Sequence, residues 1–240
     1  MCESVGLGSE DVVLEIGPGV GTLTELLVQR AKQVIAVEFD EKLASDLPKI
    51  RPETNLKVVQ QDILSFNLTT LPADYKVVAN IPYYLTSNLI RVLSESSNPP
   101  SKVALLVQKE VARRVVARPG AMSLLSVTAQ YYWEASTGMV VPAKLFTPPP
   151  KVDSQILILE RRSSARFSDI DEKQLFRLVK AGFSNRRKTL LNSLSSGLQI
   201  DKQAVSEMLA RAGLRPTMRP QELSLEQWYE LHMALTSPLA

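Results

Sequence analysis

Val12-Val-Leu-Glu-Ile-Gly-Pro-Gly-Val-Gly21 is the stretch that decides the fold of this chain. A short apolar run at Val12–Ile16 reads as a strand, alternating glycines follow it, and Thr22–Ala31 then has helical spacing. Glycine permits the tight turn and lets a ligand approach the backbone closely. Glycines that merely end a strand would look the same. The spacing is not the dinucleotide fingerprint, because Thr22 stands where its third glycine would fall. No Gly-Lys-Ser/Thr follows, so this is not a phosphate-binding P-loop.

Working outward, strand and helix patterns alternate. Gln33–Glu38, Leu56–Gln60, Tyr75–Ile81 and Lys102–Gln108 are strand candidates. Asp40–Lys49 and Ser87–Ser94 are helical, and a basic helix follows Gln108. Such alternation predicts a parallel sheet flanked by helices. In an open sheet of this kind, ligands bind beyond the carboxyl ends of the strands. Gly17, Glu38, Asp62 and Asn80 fall at successive strand ends. Glu38 lies 21 positions after Gly17, where a carboxylate accepts hydrogen bonds from ribose hydroxyls. The cofactor candidates are therefore Glu15, Gly17, Gly19, Gly21, Glu38, Asp62, Ile63 and Asn80.

Beyond Met122 the texture changes. Thr128–Trp133, Gly138–Val141 and Gln155–Glu160 look strand-like, the last two suiting a hairpin at a sheet edge. Ser163–Asp169 reads as a linker, and Asp171–Leu235 as helices alone, divided near Asn185, Gly197 and Gly213–Pro220. This predicts an α/β domain over 1–162 and a small helical domain over 163–240.

The 240 residues suit one large domain with a small appendage. No run of eighteen apolar residues suggests a membrane span, and Met1–Gly8 lacks the features of a signal peptide. One cysteine, Cys2, allows no internal disulfide, and with the one histidine, His232, it cannot form a Cys/His zinc site. Chemistry needing neither metal nor imidazole, in a cytoplasmic setting, is expected. The net charge of +3 is mild, but basic residues cluster at Lys109–Arg118, Arg161–Arg166 and Arg186–Lys188. Each cluster alone reads more simply as a solvated face.

Asn80-Ile-Pro-Tyr83 ends the fourth strand, and with the glycine turn, Glu38 and Asp62 it resembles the class I methyltransferases that modify exocyclic amines, which implies a role for it on an amine such as that of adenine. An adenine amino nitrogen is a poor nucleophile, because its lone pair is delocalised into the ring. An Asn oxygen and a backbone carbonyl near Ile81–Pro82 can accept both of its N–H bonds and turn the lone pair outward. Pro82 fixes its own backbone angle and holds that carbonyl in place. Tyr83 offers an aromatic face to a flipped base.

The resemblance to those class I methyltransferases further implies a Rossmann-like sheet and S-adenosylmethionine as cofactor. Three further stretches narrow the resemblance. Leu106-Val-Gln-Lys-Glu-Val-Ala-Arg-Arg114, Phe146-Thr-Pro-Pro-Pro-Lys-Val-Asp-Ser154 and Phe183-Ser-Asn-Arg-Arg-Lys-Thr-Leu-Leu-Asn-Ser-Leu194 are similar to motifs of the bacterial small-subunit rRNA adenine dimethyltransferases. The resemblance implies dimethylation of two adjacent adenosines in a hairpin near the 3′ end of small-subunit rRNA, late in subunit assembly, by a monomeric enzyme. It implies catalytic roles for Asn80, Ile81, Pro82, Tyr83 and Phe146, the last packing on the target adenine opposite Tyr83. On its own Phe146 reads equally well as a core aromatic. RNA contacts are expected at Arg113, Arg114, Lys151, Arg186, Arg187 and Lys188.

The chain departs from that family in two places. It starts just before the first strand, where the family carries a further N-terminal segment that contributes to the cofactor pocket. It also has Ala121-Met-Ser-Leu-Leu-Ser-Val127 where members often show Tyr-Gly before the Leu-Ser-Val stretch. Two other readings stay open. One is a large-subunit rRNA methyltransferase of the macrolide-resistance type. The other is a non-catalytic RNA-binding assembly or transcription factor. DNA adenine methylation would call for a separate sequence-reading domain, which the helical tail does not resemble.

Overall fold

Residues 12–16, 34–37, 77–79 and 103–107 are near-continuous apolar runs, as expected where a parallel strand is covered on both faces. The computed structural model describes residues 1–167, 169–185 and 187–236. In it β1 (Val12–Ile16), α1 (Thr22–Val28), β2 (Gln33–Glu38), α2 (Glu41–Ile50), β3 (Leu56–Gln60), β4 (Lys76–Asn80), α3 (Thr86–Glu95) and β5 (Lys102–Gln108) alternate along the chain. Val13, Leu14, Val34, Val77, Val78 and Val103 are fully buried. Each such side chain stabilises the fold by about 1.5–3 kcal/mol relative to exposure.

The helix α4 (Lys109–Val115) follows, then α5 (Leu124–Tyr132) and the antiparallel pair β6 (Trp133–Val141) and β7 (Ser154–Arg161). The sheet order is β3-β2-β1-β4-β5-β7-β6, with β7 antiparallel to both of its neighbours. The chain builds outward from β1 to β3, then crosses to β4 on the other side. That makes the β1/β4 boundary the topological switch point, where a ligand crevice is expected.

The strand expected over Thr128–Trp133 is instead helix to Tyr132. Local hydrogen bonding overrides the β-favouring residues. Ser123 and Ser126 bond reciprocally, Ser126 N–H to Ser123 Oγ at 3.2 Å and Ser123 N–H to Ser126 Oγ at 2.8 Å. This resembles a capping box, which fixes a helix start. Gln130 then donates from Nε2 to the carbonyls of Val115 and Ala117, both at 2.8 Å.

The remaining elements are α6 (Glu172–Phe183), α7 (Leu190–Leu198), α8 (Lys202–Arg211) and α9 (Leu225–Thr236). Asp171 caps α6 by accepting from the N–H groups of Lys173 and Gln174. By their contacts the residues form two compact units, 1–113 with 132–162, and 114–131 with 163–240. Residues 114–131, which hold α5 up to Tyr131, thus associate with the C-terminal helices rather than with the sheet that precedes them in sequence. A buried tryptophan anchors each unit. In the α/β unit Trp133 donates from Nε1 to Ser94 Oγ at 2.7 Å. In the helical unit Trp228 lies so close to α6 that a Cβ at Gly182 would sit 2.4 Å from its ring. No described helix is long and apolar enough to cross a membrane.

Candidate active site

The glycine turn leaves β1 with positive φ at Gly17 (65°), Gly19 (57°) and Gly21 (83°), a conformation that side chains disfavour. The three do different things. A Cβ at Gly17 or Gly19 would meet nothing within 4 Å, so open space lies above that part of the turn. A Cβ at Gly21 would meet Leu47 Cδ1 at 2.7 Å and Arg51 Cγ at 3.3 Å. Gly21 is therefore required by the packing of α1 against α2, and it is not among the residues lining the adjacent cavity.

That cavity has a volume of about 280 Å³ and lies at the ends of β1–β4. Of the residues expected from sequence it is lined by Gly17, Glu38, Asp62, Ile63 and Pro82. Glu38 is buried and held from two sides. Its Oε2 accepts from Gly19 N–H at 3.1 Å, and its Oε1 from Asp40 N–H at 3.0 Å. Each oxygen keeps a lone pair for a hydroxyl. Asp62 Oδ1 accepts from Leu64 N–H at 2.9 Å, which orients its carboxylate at the end of β3. The lining also includes Phe39, Asp40, Gln61, Leu64, Tyr84 and Leu85, which sequence reasoning missed. Their signal was position, since each lies within two residues of one already singled out.

The donor set suits S-adenosylmethionine: a carboxylate for the ribose, an apolar and carboxylate-edged end for adenine, and side-chain-free backbone at Gly17. Among the described residues no group of three or more His, Cys, Asp or Glu comes together as a metal site would need. His232 is buried in α9 of the helical unit.

Glu15 lies beneath the turn, 1% exposed, and accepts from Thr24 Oγ1 at 2.7 Å through Oε2. Its other oxygen has no partner. Burial pushes its carboxyl up to about 7, the Thr24 hydrogen bond opposes this, and the nearby Glu38 charge adds to it.

Asn80 ends β4, exposed, in register with Leu106 of β5. The Pro82 carbonyl accepts from Leu85 N–H at 3.0 Å and keeps one lone pair. The Ile81 and Pro82 carbonyls are both candidate second acceptors for an amine. Tyr83 is half-buried, its hydroxyl 2.9 Å from Oγ of buried Ser154 at the start of β7. Phe146 is half-buried against the apolar cluster that contains Leu106 and Ile156. Asp153 ties down its loop: Oδ1 accepts from Ala143 N–H at 3.1 Å, and the main-chain oxygen from Lys109 N–H at 3.0 Å.

The cations expected to meet RNA separate into groups. Arg113 and Lys151 line one open cavity together with Lys109. Arg114 is half-buried in the helical unit, where its carbonyl accepts from Ser126 Oγ. Arg187 and Lys188 are exposed between α6 and α7, and Arg186 lies outside the described residues. The cluster at Arg161–Arg166 is spent on ion pairs, Arg161 with Asp74, Arg162 with Glu134 and Arg166 with Glu226.

The family model of the ribosomal RNA adenine dimethylases matches residues 2–237. The chain belongs to this family. Among its dimethylase relatives, ribosomal RNA small subunit methyltransferase A of Dehalococcoides mccartyi is 43% identical over 234 residues, which cover 94% of this chain and 79% of that protein. The protein of the same name from Enterococcus faecalis is 40% identical, covering 97% and 83%. Among solved structures, a dimethyladenosine transferase from Plasmodium falciparum superposes with a TM-score of 0.77 at 25% identity, covering 96% of this chain and 91% of that one. The 23S rRNA methyltransferase ErmE superposes with a TM-score of 0.75 at 30% identity, covering 98% and 95%. The fold is that of the class I methyltransferases.

Proposed function

We propose that this family member, an S-adenosylmethionine-dependent rRNA adenine dimethyltransferase, modifies the N6 amines of two adjacent adenosines in the 3′-terminal hairpin of small-subunit rRNA. It acts as a monomer in the cytoplasm, on the immature small subunit. The observation that carries the chemistry is the placement of Asn80 at the topological switch point, one strand away from the Gly17 turn.

S-adenosylmethionine, when bound, supplies a methyl group on a positively charged sulfur. Glu38 holds the ribose, and Asp62 with Ile63 the adenine of that cofactor. Asn80 Oδ1 and the Ile81 or Pro82 carbonyl accept the two N–H bonds of the target amine and aim its lone pair at the methyl. Tyr83, braced by Ser154, and Phe146 hold the flipped base. Positioning of this kind lowers a barrier without a strong base. Arg113 and Lys151, and Arg187 and Lys188 in the helical unit, meet phosphates, which position the RNA without reading its sequence. Glu15 and Gly19 act on the cofactor through the turn they support.

The relatives named for the small subunit favour that substrate. The likeness to a 23S rRNA methyltransferase is the observation that favours the large subunit instead. Expression in a bacterial strain lacking its own small-subunit dimethylase separates the two. Reverse transcription should then stop at two adjacent adenosines near the 3′ end of the small-subunit rRNA. A stop in large-subunit rRNA alone would replace the proposed substrate.

A further inference from the structure

The two tyrosines of Asn80-Ile-Pro-Tyr-Tyr84 are treated differently by the fold. Tyr83 is half-buried and its hydroxyl is tied to Ser154 of β7. Tyr84 follows it in one helical turn, Tyr83–Leu85, yet is 85% exposed. Its hydroxyl has no hydrogen-bond partner among the described residues. The residue nevertheless lines the cavity at the ends of β1–β4, with Glu38, Asp62 and Ile63. An aromatic ring left in water at the mouth of a cavity is apolar surface that a ligand can cover.

The turn beneath it is rigid. Leu85 N–H donates to the Pro82 carbonyl at 3.0 Å, and buried Thr86 donates from Oγ1 to the Tyr83 carbonyl at 3.1 Å. Tyr84 can therefore move by side-chain rotation alone, a fast motion that needs no backbone change.

We propose that Tyr84 caps the cofactor cavity, its ring closing over the adenosyl group. The motif then divides its tyrosines, Tyr83 serving the target base and Tyr84 the cofactor. This rests on the reading that the cavity takes S-adenosylmethionine. The rest of the lining points to the purine end of that molecule. Around Tyr84 it comes from the ends of β2 and β3, where a carboxylate for ribose stands beside apolar Ile63 and Leu64. A flat π-system is what a free aromatic ring covers best.

The test is calorimetric binding of S-adenosylhomocysteine and of 5′-methylthioadenosine, which lacks the amino-acid tail. Tyr84→Ala should weaken both by about tenfold, the scale of one lost base–aromatic stack. Tyr84→Phe should restore wild-type affinity. Thermal unfolding without ligand should be unchanged in both variants, because the ring is exposed. Tyr84→Trp should show an emission change on binding, against a constant background from buried Trp133 and Trp228. Equal affinities in wild type and Tyr84→Ala would overturn the cap, as would a loss confined to RNA binding. A wild-type chain that binds neither ligand would overturn the cofactor assignment itself, and the cap with it.

Discussion

The α/β unit and the helical unit differ in charge as much as in fold. Residues 1–113 and 132–162 carry 15 Lys and Arg against 17 Asp and Glu, a net of −2. Residues 114–131 and 163–240 carry 13 against 8, a net of +5. In the α/β unit many cations are already paired, Arg51 with Glu25, Lys76 with Asp11 and Lys102 with Glu160 among them. In the helical unit Lys173, Arg177, Lys180, Arg187 and Lys188 are exposed, with no ion pair among the described residues. On the proposed function, the two units divide the work along the same line. A methyl donor bearing a positive sulfur suits an acid-leaning crevice, whereas a polyanionic substrate suits unpaired cations. Chemistry and RNA affinity should therefore be separable by mutation.

The sharpest break is at Asn80. Asn80→Ala should cut methyl transfer by about 10²–10³, the scale of losing one preorganised polar contact to the reacting group. Cofactor and RNA affinities should stay within a factor of two or so of wild type. Single-turnover transfer with both ligands saturating checks this, and normal turnover would remove Asn80 from the reaction.

The buried acid under the glycine turn comes next. Glu15 stands at about 7 in the fold against an ordinary 4.5, so between these values the native state holds a proton that the unfolded chain lacks. Its stabilising contribution is complete below pH 4.5 and is lost as pH rises through 7. Glu15→Gln should match wild type near pH 4 and exceed it by up to about 3 kcal/mol at pH 8. Urea unfolding at the two pH values reads this directly, and a difference independent of pH would contradict it.

Glu38→Ala should weaken cofactor binding by about 1.5–3 kcal/mol, the value of charge-assisted hydrogen bonds, with RNA affinity unchanged. The smallest effect belongs to the other unit. Arg187→Gln with Lys188→Gln should lower RNA affinity about tenfold at physiological salt and flatten the salt dependence by about 1.4–1.8 in log–log slope. Cofactor binding should not move. If it did, the two functions would not be divided as charge suggests.

Much of this was legible in sequence where one residue type answers one physical demand. The run Val12–Ile16 had to be a doubly covered strand, and Glu38 had to end the next one. Where two demands meet in one residue type, sequence was silent. Gly19 and Gly21 look alike, yet one faces open space and the other Leu47. Thr128–Trp133 has β-favouring residues, but the Ser123–Ser126 pair starts a helix through them. Phe183-Ser-Asn-Arg-Arg-Lys-Thr-Leu-Leu reads as one motif, while its parts diverge. Phe183 packs 5.7 Å from Trp228 and Leu190 is buried, whereas Arg187 and Lys188 are exposed. Tyr84 could not be told from Tyr83 without knowing which way each side chain leaves its turn.

Methylation of adenine N6 in small-subunit rRNA is the reaction assigned to this chain. It is tested most directly by transfer from radiolabelled S-adenosylmethionine to small subunits lacking the adenosine marks, with large subunits and DNA as parallel acceptors. Label is expected in small subunits alone, recovered after nucleoside digestion as N6,N6-dimethyladenosine. Label in large subunits or DNA, or none in any acceptor, would contradict it.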